Sequence, residues 1–395
     1  MRRIKIFNGR IVTPYRLVNN GVIVVEDGKI ASISNENVEI DDCLEIDAKG
    51  NYIAPGFIDI HTHGGGGHDF MDGTVEAYIG AARMHAQHGT TAIVPTTLTS
   101  TNDELKNTFA VYKEAKKINA DGAEFLGLHL EGPYFSMEQR GAQDPRYIRN
   151  PEHEEYMEIL GWSDDIIRWS AAPELKGSLE FGRILKSRGI LPSIAHSNAV
   201  FEEVQEAFEN GFTHITHLYS SMSGVRRINA YRYAGVIESA FIIDGMTVEI
   251  IADGAHLPAS LLKLIYKIKG AENTALVTDS MRAAGMPEGE YILGSLDGGQ
   301  KCIVEDGVAK LPDRTAFAGS VATCDRLVRT MVEIADVPVT DAVKMMTATP
   351  ARIIGVQDRK GSLAAGKDAD IVLFDDKINV NMTIVKGKIV FSKQI

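Results

Sequence analysis

The chain has 395 residues, of which 44% are hydrophobic and 24% charged, and a net charge of -12. That length exceeds one compact core and predicts a large domain with a smaller companion, while the acidic balance argues against nucleic-acid or anionic-membrane partners. Three scattered cysteines, Cys43, Cys302 and Cys324, imply neither a disulfide framework nor a cysteine zinc site, and no run approaches a transmembrane span. These features read as a cytoplasmic protein, and the basic N-terminus breaks into Asn8-Gly9 before a signal-peptide core forms.

Residues 1–54 alternate in short β-rich pieces, at 4–7, 21–25 and 29–33, separated by Asn19-Asn20-Gly21 and Asp27-Gly28 turns. Similar pieces return at 369–374, 382–385 and 389–391. This predicts a small β-sandwich domain built from both termini, residues 1–54 and 357–395. Between them, over 55–356, apolar runs alternate with helical patterns, the mark of a parallel α/β arrangement. Eight buried strands are expected at 57–61, 91–96, 125–130, 167–172, 190–196, 213–218, 247–253 and 275–279, the number that closes a (β/α)8 barrel. Helices are expected at 102–117, 201–210 and 259–269. A Gly-rich hairpin insertion follows at about 286–318, and helices resume at 322–335 and 341–354.

Chemistry in such a barrel belongs at the C-terminal ends of the strands. There the sequence places His61 and His63, His129 and Glu131, His196, His214 and His217, Asp253 with His256, and Asp279. Residues two apart in a strand share a face, so both imidazoles of His61-Thr62-His63 can reach one point. A buried ionisable set of this size costs free energy unless a metal or hydrogen bonds compensate. Glu131, His196 and His217 form the expected first ligand set, leaving a position open for water. His61 and His63 are placed for a second ion, with Glu131 as bridge, because strand four ends in 169–174 without a lysine that could become a carbamate. Asp279 is the expected general base and acid.

In these motifs the chain resembles the amidohydrolase superfamily, and within it the branch that deacetylates amino sugar 6-phosphates. The matching pieces are Pro55-Gly56-Phe57-Ile58-Asp59-Ile60-His61-Thr62-His63-Gly64, His129-Leu130-Glu131-Gly132-Pro133-Tyr134, Ala195-His196-Ser197, Thr216-His217-Leu218-Tyr219, Ala252-Asp253-Gly254-Ala255-His256, Val277-Thr278-Asp279 and Ala318-Gly319-Ser320. They span nearly the whole chain. The run from Gly361 to Asp370 matches the superfamily more generally.

The resemblance implies hydrolysis of the acetamide of N-acetylglucosamine 6-phosphate to glucosamine 6-phosphate and acetate, by water activated on the metal with Asp279 as proton shuttle. It implies a divalent metal, zinc first, with iron or nickel as alternatives and one or two ions per subunit. His256 is expected near the sugar's anomeric hydroxyl. Arg232 is expected on the phosphate, with Arg226 and Arg227 as rivals, and it reaches the site from a neighbouring subunit, which implies a homodimer. Two departures touch substrate choice. Where the family has Gly-Ala-His, the chain has Gly141-Ala142-Gln143, whose amide can still donate to a carbonyl. Where the family has Leu-Tyr-Asn-Ala-Met, it has Leu218-Tyr219-Ser220-Ser221-Met222. N-acetylgalactosamine 6-phosphate or another N-acyl amino sugar phosphate is therefore an alternative substrate. A cyclic-amide hydrolase and a non-catalytic relative are further alternatives.

Overall fold

In the computed structural model, residues 3–36, 38–296 and 298–393 are described; Met1 and Arg2, part of the basic start, lie outside them. Eight parallel strands form the predicted barrel: Phe57–Thr62, Thr90–Thr97, Leu128–Glu131, Ile166–Ala171, Leu191–Ile194, His214–Ile215, Thr247–Ile250 and Thr274–Leu276. Each pairs in parallel with its sequence neighbour. The last strand meets the first just beyond its own end, where Asp279 N donates to His61 O at 2.9 Å and His63 N donates to Ser280 O at 2.8 Å. Buried Asp59 adds to that seam by accepting Thr278 N at 3.2 Å and Thr278 Oγ1 at 2.5 Å.

The first strand, irregular in its register, shows how the barrel is layered. Ile58 and Ile60 pack in a cluster with Ala351, from the helix Ala348–Ile353. Ile93, which pairs with Asp59, shares a cluster with Phe109 and Tyr112 on the outer face, whereas His61, past a register shift in the strand, bonds Glu249 inside the barrel. The helices cover that outer face through ordinary amphipathic spacing. Asn102–Ile118 buries Leu105, Thr108, Phe109, Tyr112 and Ala115, and a reciprocal cap between Thr101 and Glu104 starts it. The shell is tightly packed around Trp169, whose ring stacks on Tyr134 at 5.6 Å and meets Phe181 edge-on at 5.0 Å. The stretch 341–354, expected as one helix, is two, Val339–Met345 and Ala348–Ile353. Thr347 breaks the run at φ -136°, ψ -81° and caps Val343 O through its hydroxyl instead.

Both termini meet in one eight-stranded, mostly antiparallel sheet that runs from Lys388–Ser392 through Ile371–Phe374 and Tyr52–Pro55 to Lys29–Ser34. Ile30 at one edge and Met382 and Ile384 near the other belong to one buried cluster, so the sheet curls over a core of its own. It is tied to the barrel by Lys360, whose ammonium, 1% exposed, lies 2.6 Å from Glu124 and 3.2 Å from Asp368 and also contacts Asp370. After the eighth strand, Gly289–Leu293, Gln300–Glu305 and Val308–Lys310 form the expected antiparallel insertion. Among the described residues no helix is long and apolar enough to cross a membrane.

Candidate metal centre

The strand ends converge on a cavity of about 310 Å3 at the C-terminal mouth of the barrel. Two groups of possible ligands lie at its floor: Glu131 with His196 and His217, and His61 with His63 and Asp279. Glu131 links them. Its Oε1 is 3.2 Å from His196 Nε2 and 3.0 Å from His217 Nε2, while Oε2 is 3.3 Å from His63 Nε2. Asp279 Oδ1 lies 3.2 Å from His63 Nε2 and 3.5 Å from His61 Nε2. The grouping adds a role to Asp279, which the sequence placed only as a proton carrier and which here sits among the possible ligands.

The residues fit a divalent cation. His61 Nε2 is buried and, among the described residues, has no hydrogen-bond partner, although it faces carboxylate oxygens on two sides, and nitrogen and oxygen donors in such density suit a borderline metal. His196, His217 and Asp279 hold left-handed backbone, at φ 47°, 29° and 46°. Such conformations cost about 1–3 kcal/mol each and persist where the surroundings impose them, commonly at active sites. They also explain why the sixth strand is shorter than expected: the turn at His217 ends it early and aims the imidazole inward.

Not every strand-end histidine belongs to the centre. His129 bonds Ser170 Oγ at 2.7 Å, and His214 bonds Glu249 at 3.2 Å and Thr247 at 2.8 Å, deeper in the barrel. Burial pushes the His129 imidazole well down, with Arg168 helping, and burial holds that of His214 to about 4, so both are neutral wall residues. Asp253 accepts the amides of Ala255 and His256 and holds His256 Nδ1 at 2.8 Å, acting as a turn that aims His256 into the cavity.

Gln143, Ser220, Ser221 and His256 all line the cavity. Gln143 is engaged at both ends: its Nε2 donates to Glu131 Oε2 at 2.8 Å, and its Oε1 accepts Thr99 N at 3.0 Å and Thr99 Oγ1 at 2.9 Å. One N–H hydrogen is left for a substrate oxygen. Sequence reasoning missed Leu98, Tyr219, Leu293 and Phe317, which complete the walls from loops and the insertion. The candidate arginines stand apart. Arg227 and Arg232 face each other across an exposed hairpin, Arg226–Ile228 against Tyr231–Tyr233, and among the described residues no arginine or lysine lines the cavity. Arg226 donates to Asn198 O at 2.7 Å instead.

A (β/α)8 barrel whose strand ends gather two linked acid–imidazole groups has the framework of a metal-dependent hydrolase. The profile of the Amidohydrolase family matches residues 52–390, and the chain belongs to that family. Among curated relatives, the N-acetylglucosamine-6-phosphate deacetylase of Bacillus subtilis (strain 168) is 35% identical over 96% of this chain and 95% of its own. The N-acetylgalactosamine-6-phosphate deacetylase of Escherichia coli O157:H7 is 31% identical over 96% and 97%. Among solved structures, the N-acetylglucosamine-6-phosphate deacetylase from Pasteurella multocida superimposes with a TM-score of 0.91 at 29% identity, covering 98% of this chain and 99% of that one.

Proposed function

We propose that the chain hydrolyses the acetamide of N-acetylglucosamine 6-phosphate, releasing acetate and glucosamine 6-phosphate. The observation that carries this is the cavity floor, where Glu131 joins His196 and His217 to His61, His63 and Asp279, in a chain matched end to end by deacetylases of that substrate. A bound divalent ion, zinc in this reading, would activate water and polarise the acetyl carbonyl. Glu131, His196 and His217 would hold it, and His61 and His63 would hold a second ion. Asp279 takes the proton from water as the carbon–oxygen bond forms and gives it to the nitrogen as the carbon–nitrogen bond breaks. Gln143 donates its remaining N–H to the substrate's carbonyl oxygen. His256 holds the sugar ring, with Ser220 and Ser221 on the opposite wall.

The phosphate needs a cation, and among the described residues no arginine or lysine lines the cavity. An exposed hairpin carrying Arg227 and Arg232 supports the reading that a second subunit delivers one of them, with its forked donors, in a cytoplasmic homodimer. N-acetylgalactosamine 6-phosphate is the second reading, favoured by the E. coli relative and by Gln143 and Ser220-Ser221 at the family's variable points. The test is acetate release from both epimers by the metal-loaded protein. Glucosamine-type turnover lost in Glu131→Ala supports the first reading; preference for the galactosamine epimer selects the second.

A further inference from the structure

Beneath the cavity lies an ion pair that none of the roles above uses. Arg168, from the fourth barrel strand, and Glu249, from the seventh, are both inaccessible to solvent, and their Nη1 and Oε2 are 2.6 Å apart. Arg168 spends its other donors on the barrel: Ile60 O at 3.2 Å, Thr216 Oγ1 at 2.8 Å and Ser193 Oγ at 3.1 Å. Stability does not explain the pair, because replacing a buried ion pair by well-packed apolar side chains is commonly neutral or stabilising.

Its geometry points upward to the ligands. Glu249 Oε1 accepts His61 Nδ1 at 2.6 Å and the His217 backbone N–H at 3.2 Å. Because Nδ1 donates in that bond, the neutral, metal-binding form of His61 presents its lone pair on Nε2, the atom that faces Glu131 and Asp279 with no hydrogen-bond partner among the described residues. The other ligand group is oriented differently: His196 Nδ1 bonds Gln139 O at 2.9 Å, and the His217 side chain makes no bond to Glu249 among the described residues.

We propose that Arg168 and Glu249 are positioning residues for a second metal ion: Glu249 aims and polarises His61 so that His61, His63 and Asp279 hold that ion, and Arg168 locks Glu249 in place. This rests on reading the site as a metal centre. Glu249→Gln keeps the shape and an oxygen to accept the His217 N–H but removes the charge on which His61 Nδ1 bears, while His196 keeps its bond to Gln139 O.

The test is titration of the metal-free full-length protein with zinc or cobalt, reading stoichiometry and the dissociation constant of each ion. Wild type is expected to take two ions per subunit. Glu249→Gln is expected to bind the first with unchanged affinity and the second about 10- to 100-fold more weakly, the usual cost of losing an outer-shell partner. Should Glu249→Gln fail to fold with Arg168 left unpaired, the double variant Arg168→Met/Glu249→Gln carries no uncompensated charge and should show the same selective loss. A folded variant that binds both ions like wild type, or that weakens both equally, overturns the inference. Wild type binding one ion overturns it and leaves the deacetylase reading standing, whereas wild type binding none overturns both.

Discussion

Gln143 offers the sharpest single test of how the site is held. Its amide donates to Glu131 at 2.8 Å and is itself fixed by two donors from Thr99, so removing it frees the carboxylate that joins both ligand groups. A hydrogen bond to a charged group is worth about 1.5–3 kcal/mol, which at 1.36 kcal/mol per decade corresponds to a loss of about 10- to 150-fold in kcat/KM for Gln143→Leu. Thr99→Val removes only the hydroxyl donor and leaves the backbone N–H, so its loss should be about 1 kcal/mol, close to fivefold. Gln143→Glu sets a second carboxylate against Glu131 and should lose more than the leucine variant. The assay is acetate release at saturating metal, with metal content measured on the same samples. Full metal occupancy and activity within about twofold of wild type for Gln143→Leu would show that Gln143 does not hold Glu131 in place.

Asp279→Asn should lower kcat about 10^2- to 10^4-fold while the Glu131, His196 and His217 ion remains bound; near-normal turnover would remove Asp279 as the proton carrier. If the hairpin arginines act across subunits, mixing an inactive Arg227→Ala/Arg232→Ala variant with Asp279→Asn should restore activity, up to about a quarter of wild-type sites in a randomly mixed dimer, and no recovery in confirmed mixed dimers would place the phosphate contact elsewhere. Glu124 titrates against burial, which raises its pKa, but Lys360, Lys386 and Arg359 outweigh that and hold it to about 2. Its folded value lies below its unfolded one, so its stabilisation is complete above pH 4.5 and is lost as the pH falls through about 2. The melting temperature of Glu124→Gln should therefore fall less steeply than that of wild type across this acid window; parallel curves would show that the cluster contributes nothing there.

The barrel was legible because its strands are buried on the helix side and punctuated by polar ends, and His61, His63, Glu131, His196, His217 and Asp279 do converge. The same pattern also drew in His129, His214 and Asp253, since a strand end does not reveal depth: the first two sit one layer lower and the third makes a turn. Arg168 and Glu249 carried a readable signal, a full charge inside an apolar strand such as Thr-Val-Glu-Ile, that went unused. Leu98, Leu293 and Phe317 could not be foreseen, because the loops and the insertion that bring them to the cavity lack a fixed period. Arg232 and its rivals Arg226 and Arg227 were singled out by their order along the chain, yet the exposed hairpin that carries them is a tertiary fact that spacing does not encode.

In the proposed reaction, acetate release depends on an ion held at the barrel mouth. That dependence is tested most directly by assaying N-acetylglucosamine 6-phosphate hydrolysis before chelation, after removal of metal, and after zinc is added back. Turnover should vanish with the metal, return with it, and not return in Glu131→Ala. Undiminished turnover by the metal-free protein, or no acetate from any N-acetyl amino sugar phosphate when the metal sites are full, would contradict it.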